Sequence, residues 1–233
     1  GGIMMGVGAV VSVVSVGTGG QQRVMENISQ LGSNLITINP AAARGRAGQV
    51  QHDAKRVFWL PMAAEMESIV RSITTVVPVV NGRGLLVAGG VHVNATVLGV
   101  TAPYQEVMNY QVEWGRFITD WDVNEELHVA VLGSSLAEDL FEDEEPIGQE
   151  IIAIIGDRRI IFRVVGVMEP RGQALAGNFD TQMYVPVTTM MERVAKTRTV
   201  SSFAAQAISG DYANEAVDQL SFFLTRRLGD SRR

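Results

Sequence analysis

The sequence predicts an α+β fold in which a strand-rich segment interrupts a smaller group of strands and helices. Three observations indicate this class. The predicted elements run strand–helix–strand, then a strand-rich middle, then strand–helix–strand–helix. The middle contains "EIIAIIGDRRIIFRVVGVM", a clear hairpin signal in which two apolar runs are joined around Gly156 and Asp157. No period of 20 to 50 residues repeats along the chain, which argues against a solenoid.

The composition is that of a folded protein and argues against several functions. The chain has 233 residues, of which 46% are hydrophobic and 19% charged, with a net charge of −6. This acidic balance disfavours nucleic acid as a partner, because phosphate contacts need clustered Lys and Arg. The chain has no cysteine, so it contains no disulfide, thiolate zinc site or Cys nucleophile.

The amino-terminal run from Ile3 to Val16 is uncharged and rich in Val and Gly. It is shorter than the roughly 20 residues that span a bilayer, and it lacks the basic start of a signal peptide. We interpret residues 1–20 as the end of a transmembrane helix, with the chain beginning inside that helix. The alternative is a buried helix or strand of a soluble core.

The next residues predict a stalk helix that leaves the membrane and leads into a strand. Residues 17–20 interrupt the apolar run, and Gly32 is a helix-ending signal. Between them, Val24, Ile28 and Leu31 recur at helical spacing. The alternation in "NLITINP" then predicts the first strand of the folded domain.

A second helix and a series of strands follow. Pro61 is predicted in the first turn of the helix, since a missing N–H is tolerated there. The pairs Asn81-Gly82 and Gly89-Gly90 are hairpin signals between β-rich runs. The apolar stripe of the helix is Met62, Met66, Ile69, Val70 and Ile73.

The second half predicts short buried strands and three more helices. "HVAVLG", "MYVPV" and "VSSFAAQAIS" read as strands, and "TTMMERVAK" as a helix. "SSLAEDLF" begins a helix with a capping box from Ser135 to Glu138. The last helix is predicted to bury one side, formed by Ala216, Val217, Leu220, Phe223, Leu224 and Leu228.

Motifs for catalysis are missing from the sequence. His52, His92 and His128 form no close ligand pair, and each is interpreted as solvated or structurally satisfied. Neither a GxSxG nucleophile elbow nor a GxxxxGK[ST] phosphate loop occurs. We therefore predict no catalytic set, no cofactor site and no metal site in this chain.

Two groups of residues leave alternatives open. Asp120, Asp122 and the acidic run 142–145 supply oxygens for a cation, but they lack the alternating ligands of a calcium loop and are better read as solvated acidic turns. Trp114 and Trp121 are candidates for hydrophobic anchors of a partner surface, with core packing as the favoured interpretation.

Several stretches, taken in order, resemble the extracytoplasmic core of MacB-type ABC transporter permeases. They are "GVGAVVSVVSVGTGGQQRVMENISQLGSNLITINP", "EWGRFITDWDVNEELHVAVLGSSLAEDLF", "PIGQEIIAIIGDRRIIFRVVGVMEPRGQ" and "FDTQMYVPVTTMMERV". No single stretch is specific, but their order and spacing cover nearly the whole chain.

The resemblance implies a division of the chain. In this family a large external domain lies between the first two of four transmembrane helices. It comprises a porter-like lobe formed by both ends of the segment and an inserted, β-rich lobe called Sabre. Here the expected bounds are the end of transmembrane helix 1 at 1–20, the stalk and first porter-like part at 21–112, the Sabre-like insert at 113–180 and the second porter-like part at 181–233.

The resemblance also implies a function and partners. ATP, with Mg²⁺, is hydrolysed by a nucleotide-binding domain outside these residues, and the movement is transmitted through the inner membrane to this domain on the periplasmic side. The expected partners are that ABC ATPase, a periplasmic adaptor, an outer-membrane exit duct, the lipid membrane and a second copy in a homodimer. Candidate partner contacts are Arg171, Gly172, Gln173, Asn178, Trp114 and Trp121.

Other functions remain open at this point. Members of the same superfamily release lipoproteins or, as FtsX-like proteins, regulate cell-wall hydrolases. A membrane-tethered ligand-binding module without an ATPase is a second alternative. A hydrolase that uses Asp120, Asp122 or Glu142 is a third.

Overall fold

The computed structural model describes residues 9–14, 23–27, 34–40, 57–174 and 177–229. The chain divides into two compact units. The first comprises Gly1–Pro78 and Thr199–Arg233, and the second comprises Val79–Arg198.

Strands are the dominant elements. The strands are β1 Ala9–Val14, β2 Arg23–Asn27, β3 Leu35–Asn39, β4 Phe58–Trp59, β5 Ile73–Ala88, β6 Val91–Val100, β7 Val112–Gly115, β8 Val129–Leu132, β9 Glu150–Ile155, β10 Arg158–Met168, β11 Gln173–Ala174, β12 Gly177–Asn178, β13 Gln182–Pro186, β14 Thr199–Val200 and β15 Ser202–Ala207. The helices are α1 Met62–Ile69, α2 Tyr104–Met108, α3 Asp120–Asn124, α4 Ser134–Phe141, α5 Val187–Thr189 and α6 Ala213–Gly229. Alpha-helix α5 continues as a π-helical turn, Met190–Val194, and short 3-10 turns cover Phe179–Thr181 and Gly210–Tyr212.

The first unit is built on a sheet with strand order β2–β1–β3–β15–β5. Strand β3 pairs parallel with β1 and antiparallel with β15. Its apolar side chains Leu35, Ile36 and Ile38 are fully buried, as the predicted strand requires. The strand signal in "NLITINP" is therefore confirmed.

Helices α1 and α6 add further residues to the core of this unit. All six residues predicted to line the buried side of α6 are buried, because their spacing keeps them on one face of the helix. In α1, Met62 and Met66 are buried as predicted, but Ile69 is 60% exposed. Pro61 is the N-cap of α1 rather than a residue of its first turn.

The amino-terminal residues differ from the prediction. Ala9–Val14 and Arg23–Asn27 are antiparallel strands instead of parts of a transmembrane helix and a stalk helix. The run "AVVSVV" is rich in β-branched valine, which favours a strand once a neighbouring strand such as β3 offers its backbone. Ile28, Leu31 and residues 17–20 lie outside the described residues.

None of the helices in the described ranges has both the length and the apolar character needed to cross a membrane.

The second unit is a sheet whose pairing closes on itself. Strands β5, β6, β13, β8 and β10 pair in that order, and β9 pairs with both β10 and β5. Strand β7 pairs with β10 at the end of the path and forms an edge. The predicted hairpin is confirmed as β9 and β10, with Gly156 at φ +62° in the turn.

Only one of the two predicted glycine turns is a turn. Gly89, at φ +58°, joins β5 to β6, whereas Asn81-Gly82 lies inside β5 with Gly82 opposite Val97. A Cβ at Gly82 would lie 2.5 Å from Met190 Cε. Gly82 therefore lies where the Met190 side chain approaches strand β5 closely. The local sequence Asn-Gly does not distinguish this arrangement from a hairpin turn.

The predicted capping box at Ser135 is wrong. Helix α4 begins at Ser134 with Gly133 as N-cap, and no side chain caps it. A Cβ at Gly133 would lie 2.4 Å from the carbonyl oxygen of Asp180, so close packing selects glycine over a capping residue there. A capping box is present instead at α3, between Thr119 and Asp122.

The second unit, Val79–Arg198, extends along the sequence beyond both bounds of the predicted inserted lobe 113–180. Strand β13, for example, follows that segment in sequence but pairs with both β6 and β8. These long-range pairings join residues before 113 and after 180 to the same unit.

Candidate partner-binding residues

Two exposed tryptophans are the most prominent apolar side chains on the second unit. Trp114 is 61% exposed and Trp121 is 65% exposed. The core-packing interpretation of both residues is therefore wrong, and the alternative, that they anchor a partner, agrees with their exposure.

Trp114 is positioned by the pairing of β7 with β10. It lies opposite Val167, and the neighbouring pair is Gly115 with Gly166. A Cβ at Gly166 would lie 2.1 Å from the backbone oxygen of Arg116. The backbone that follows β7 therefore approaches β10 more closely than any side chain permits. Gly115 has φ +76°, where glycine is also required.

Trp121 is positioned by the capping box of α3. Thr119 Oγ1 accepts a hydrogen bond from the Asp122 backbone N–H at 3.1 Å, and Asp122 Oδ2 accepts one from the Thr119 N–H at 2.8 Å. The Arg116 guanidinium donates to the same carboxylate at 2.7 and 3.3 Å. This ion pair joins the residue after β7 to α3, so the elements that carry the two tryptophans are fixed to each other.

Asp122 is thus a buried structural residue, 1% exposed, and the predicted solvated acidic turn is wrong at this position. Burial raises the pKa of the Asp122 carboxyl, while the hydrogen bonds from Arg116 and Thr119 lower it by more. The pKa therefore lies below the usual aspartate value of 3.8.

We expect the Asp122 carboxylate to make the protein sensitive to acid. Because its pKa is lower in the folded state, its stabilising effect is complete above about pH 5 and is lost as the pH falls through the unfolded and then the folded pKa. The free energy of unfolding, measured by urea denaturation from about pH 5 to pH 2, should fall more steeply for the wild type than for Asp122→Asn. At neutral pH the substitution should cost roughly 1–2 kcal/mol. Parallel pH curves for the two proteins would contradict this role, and Asp120→Asn, which changes an exposed neighbour, is the matched control.

The loop that contains the other partner candidates is held at its base by Asp180, which is 7% exposed. Its two carboxylate oxygens accept hydrogen bonds from the backbone N–H groups of Arg171 and Gly172, each at 2.8 Å. The Glu169 backbone N–H donates to the Gln111 backbone oxygen at 2.9 Å. In return, the Gln111 backbone N–H donates to the Glu169 carboxylate. The loop base therefore lies beside the residues that lead into β7.

Arg171 is also held by its side chain. Its guanidinium lies over the rings of Tyr110 and Phe179, with its carbon 4.7 and 5.1 Å from their centroids, and donates to the Asn109 backbone oxygen. The guanidinium face and one of its N–H groups are thus used within the unit, whereas Nη1 is buried without a hydrogen-bond partner among the described residues. Of the four loop candidates, Gly172 is exposed and Asn178 is half-buried, and the side chain of Gln173 is outside the described part.

Beneath the loop lies a cluster of buried aromatic rings. Tyr184 packs against Tyr104 at 5.4 Å between centroids, and its hydroxyl donates to the Phe179 backbone oxygen at 3.1 Å. Burial raises the pKa of Tyr104, Tyr110 and Tyr184, so these hydroxyls stay neutral and remain able to donate. The base of the loop therefore packs against a cluster of buried aromatic rings.

The described residues include no group of three or more His, Asp or Glu side chains arranged to hold a metal ion. His128 lies against Phe162, with ring centroids 5.8 Å apart, and His92 is exposed on β6. His52 lies outside the described residues.

The sequence indicated Trp114, Trp121 and the loop as candidate partner contacts, but neither the exposure of the tryptophans nor the residues that position them. Arg116, Asp122, Asp180 and Gly166 act through contacts between elements. The one local signal was T-x-x-D at residues 119–122, a capping box with aspartate in place of glutamate.

A family model described as the MacB-like periplasmic core domain matches residues 1–221. Among curated proteins, the macrolide export ATP-binding/permease protein MacB of Bdellovibrio bacteriovorus is 30% identical over 227 residues, 97% of this chain and 34% of that protein. The protein of the same name from Chlorobaculum tepidum is 32% identical over 223 residues, 94% of this chain and 34% of its own length. The chain spans about a third of the length of these curated relatives.

Solved structures show the same fold. The periplasmic region of MacB from Actinobacillus actinomycetemcomitans superposes with a TM-score of 0.66 at 23% identity, covering 84% of this chain and 86% of that one. The extracellular domain of the noncanonic ABC-type transporter YknZ from Gram-positive bacteria gives a TM-score of 0.61 at 19% identity, covering 81% and 91%. The predicted α+β class is confirmed.

Proposed function

Because this chain belongs to the family of MacB-like periplasmic core domains, we propose that it is the non-catalytic extracytoplasmic domain of an ABC-type permease. It transmits ATP-driven movement from the cytoplasm to an export substrate or partner outside the inner membrane. The family match over residues 1–221 is the observation that carries this proposal. The resemblance found in the sequence motifs is the same family and is confirmed.

We also propose where the nucleotide-binding domain lies and which lobe each unit of this chain forms. The relatives are named ATP-binding/permease proteins and are about three times as long as this chain, so we place ATP and Mg²⁺ in a nucleotide-binding domain outside these residues. We assign the first unit to the porter-like lobe and the second unit to the Sabre-like lobe. The first assignment is supported by its construction from both ends of the chain, and the second by its content of strands.

We further propose that Trp114 and Trp121 contact a periplasmic adaptor protein, which links the permease to an outer-membrane exit duct. Two exposed indole rings on elements fixed by an ion pair form a preorganised apolar anchor. Such side chains carry a large share of the binding energy in protein interfaces.

The function is tested with the full-length protein that contains this chain, expressed in cells that lack their own macrolide exporter. With the adaptor present, expression should raise the macrolide concentration that inhibits growth. A variant unable to hydrolyse ATP should abolish that protection. Protection that persists without ATP hydrolysis, or that never appears with any exported compound or partner, would contradict a transmitting role.

The adaptor contact is tested by substitution. Trp114→Ala combined with Trp121→Ala should weaken adaptor binding at least about tenfold, measured by surface plasmon resonance with purified full-length protein. ATP hydrolysis and the melting temperature should stay nearly unchanged, since both side chains are exposed. Ile161→Ala is the matched control, because Ile161 is an apolar residue of the same unit that is 52% exposed. Equal adaptor affinity in the double variant and the control would exclude these tryptophans as the contact.

A further inference from the structure

The sheet of the second unit has one buried face where β5, β9 and β10 lie side by side. Leu86, Ala153 and Ile160 lie opposite one another across these three strands, and all three are buried. Because successive side chains of a strand point to opposite faces, the residues between them point away from this core. An antiparallel sheet with one buried face normally presents polar side chains on the other face.

The outward face of these strands carries apolar side chains instead. One row across the strands consists of Val87, Ile152 and Ile161, and the neighbouring row contains Leu85 and Ile154. Ile161 is 52% exposed and the other four are half-buried. We call these five residues the sheet patch. Its rows are about 7 Å apart along the strands and its columns about 5 Å apart, so the patch has roughly the width of one helix.

The sequence of β9 has the pattern of a strand that is covered on both faces. Apolar residues run without a break from Ile151 to Ile155, whereas a strand with one face in water alternates apolar and polar residues. Within the described residues, the face with Ile151 and Ala153 is buried and the face of the sheet patch is not. An apolar surface of this kind is typical of a site that another molecule covers.

Arginines border the sheet patch on two sides. Arg159 lies opposite Ile154 and completes the second row, and Arg163 follows Ile161 on the same face of β10. On β5, Arg83 occupies the outward position before Leu85.

These cations are largely available to a partner. Arg163 Nη2 lies 3.8 Å from Glu150 Oε2, with both side chains 60% exposed, and such a pair contributes little. Arg159 is exposed and forms no ion pair within the part of the chain that the structure describes. The only other acidic side chain at this border is Asp157 in the hairpin turn. The border therefore has an excess of positive charge, although the whole chain has a net charge of −6.

We propose that the sheet patch binds an acidic amphipathic helix of another protein. A helix suits the surface because helices cover the faces of sheets, whereas an added strand pairs with the backbone of a sheet edge. The apolar stripe of the helix lies on Ile152 and Ile161, and its acidic side chains face Arg159 and Arg163. This contact is formed by other strands than the one that carries Trp114, and it does not depend on the transport proposal.

Two designed peptides test the chemistry of the partner. Both are helices of about 18 residues, or five turns, with the same leucine stripe, and their flanking positions are Glu in one and Lys in the other. Binding to the full 233-residue chain is measured by fluorescence anisotropy of labelled peptide. The acidic peptide should bind at least about tenfold more tightly. The net charge of the chain would favour the basic peptide, so this preference can only come from the local arginines.

Two substitutions test the place of binding. Ile161→Ser should weaken binding of the acidic peptide about tenfold, while Ile208→Ser is the matched control, because Ile208 is 50% exposed and belongs to the first unit. Arg159→Glu should weaken it about fivefold and strengthen binding of the basic peptide. Arg71→Glu, at an exposed position of the first unit, changes the net charge equally and should have little effect. Circular dichroism should show that all four variants remain folded, since each changes an exposed side chain.

The inference is overturned if the two peptides bind equally well, or if the basic peptide binds more tightly. It is also overturned if Ile161→Ser and Ile208→Ser bind the acidic peptide with the same affinity. Binding of the chain to vesicles of anionic phospholipid, with neither peptide bound, would instead assign the sheet patch to a membrane surface. None of these results affects the transport proposal, which depends on the family match.

Discussion

Replacing Gly166 by alanine is expected to destabilise the second unit by about 3 kcal/mol or more and to detach β7 from its sheet. The added Cβ would lie 2.1 Å from the backbone oxygen of Arg116 and 3.0 Å from its backbone carbon. These are backbone atoms, which cannot move away by a change of rotamer. The strand that carries Trp114 must therefore shift as a whole.

Thermal unfolding followed by circular dichroism measures the loss of stability. Gly90→Ala is the matched control, because nothing lies within 4 Å of a Cβ at that turn position. Hydrogen exchange should rise first at residues 112–115, whose partner on β10 is displaced. If Gly166→Ala melts within a degree of the wild type, the close approach of β7 and β10 is not present in solution.

The Asp180→Ala variant is expected to lose about 2 kcal/mol of stability and to release the loop above it. The substitution removes both acceptors of the Arg171 and Gly172 backbone N–H groups, and hydrogen bonds to a charged acceptor are among the stronger ones. Part of the loss is offset because Gly172 is exposed to water. Arg171, which stacks on Phe179 at the loop base, then no longer has its backbone N–H held by Asp180.

Urea denaturation and proteolysis of the loop measure this effect separately. Asp180→Asn is an informative second variant, since it keeps one acceptor but places its amide NH2 donor against the other backbone N–H, so it should also lose stability. Cleavage between residues 172 and 178 should increase for Asp180→Ala while the tryptophan surface stays intact. An unchanged loop would show that Arg171 stacking alone is sufficient to hold it.

Local patterns in the sequence predicted much of the fold. The buried side of α6, strand β3 and the β9–β10 hairpin each follow from a repeated spacing of apolar residues or a glycine at a turn. The same patterns failed where a second element decides the outcome. Gly82 has the sequence of a turn but lies inside a strand, because β5 pairs with β6 on both sides of it.

The candidate site was predicted only in part, for the same reason. Exposed tryptophans and a glycine-rich loop are visible in the sequence, but their exposure is not, and both tryptophans were expected in the core. The amino-terminal valine run shows the limit most clearly. Its apolar character suits a lipid-facing helix, whereas its β-branching suits the strand that pairs with β3.

The family, the α+β class and the lack of any recognisable catalytic motif follow from the order of segments and from residue types. The bounds of the two units, the roles of Asp122 and Asp180 and the exposure of Trp114, Trp121 and Ile161 follow from long-range packing. Burial, ion pairing and close backbone approach are relations between residues far apart in the chain. They exist only once the chain has folded, so no local pattern records them.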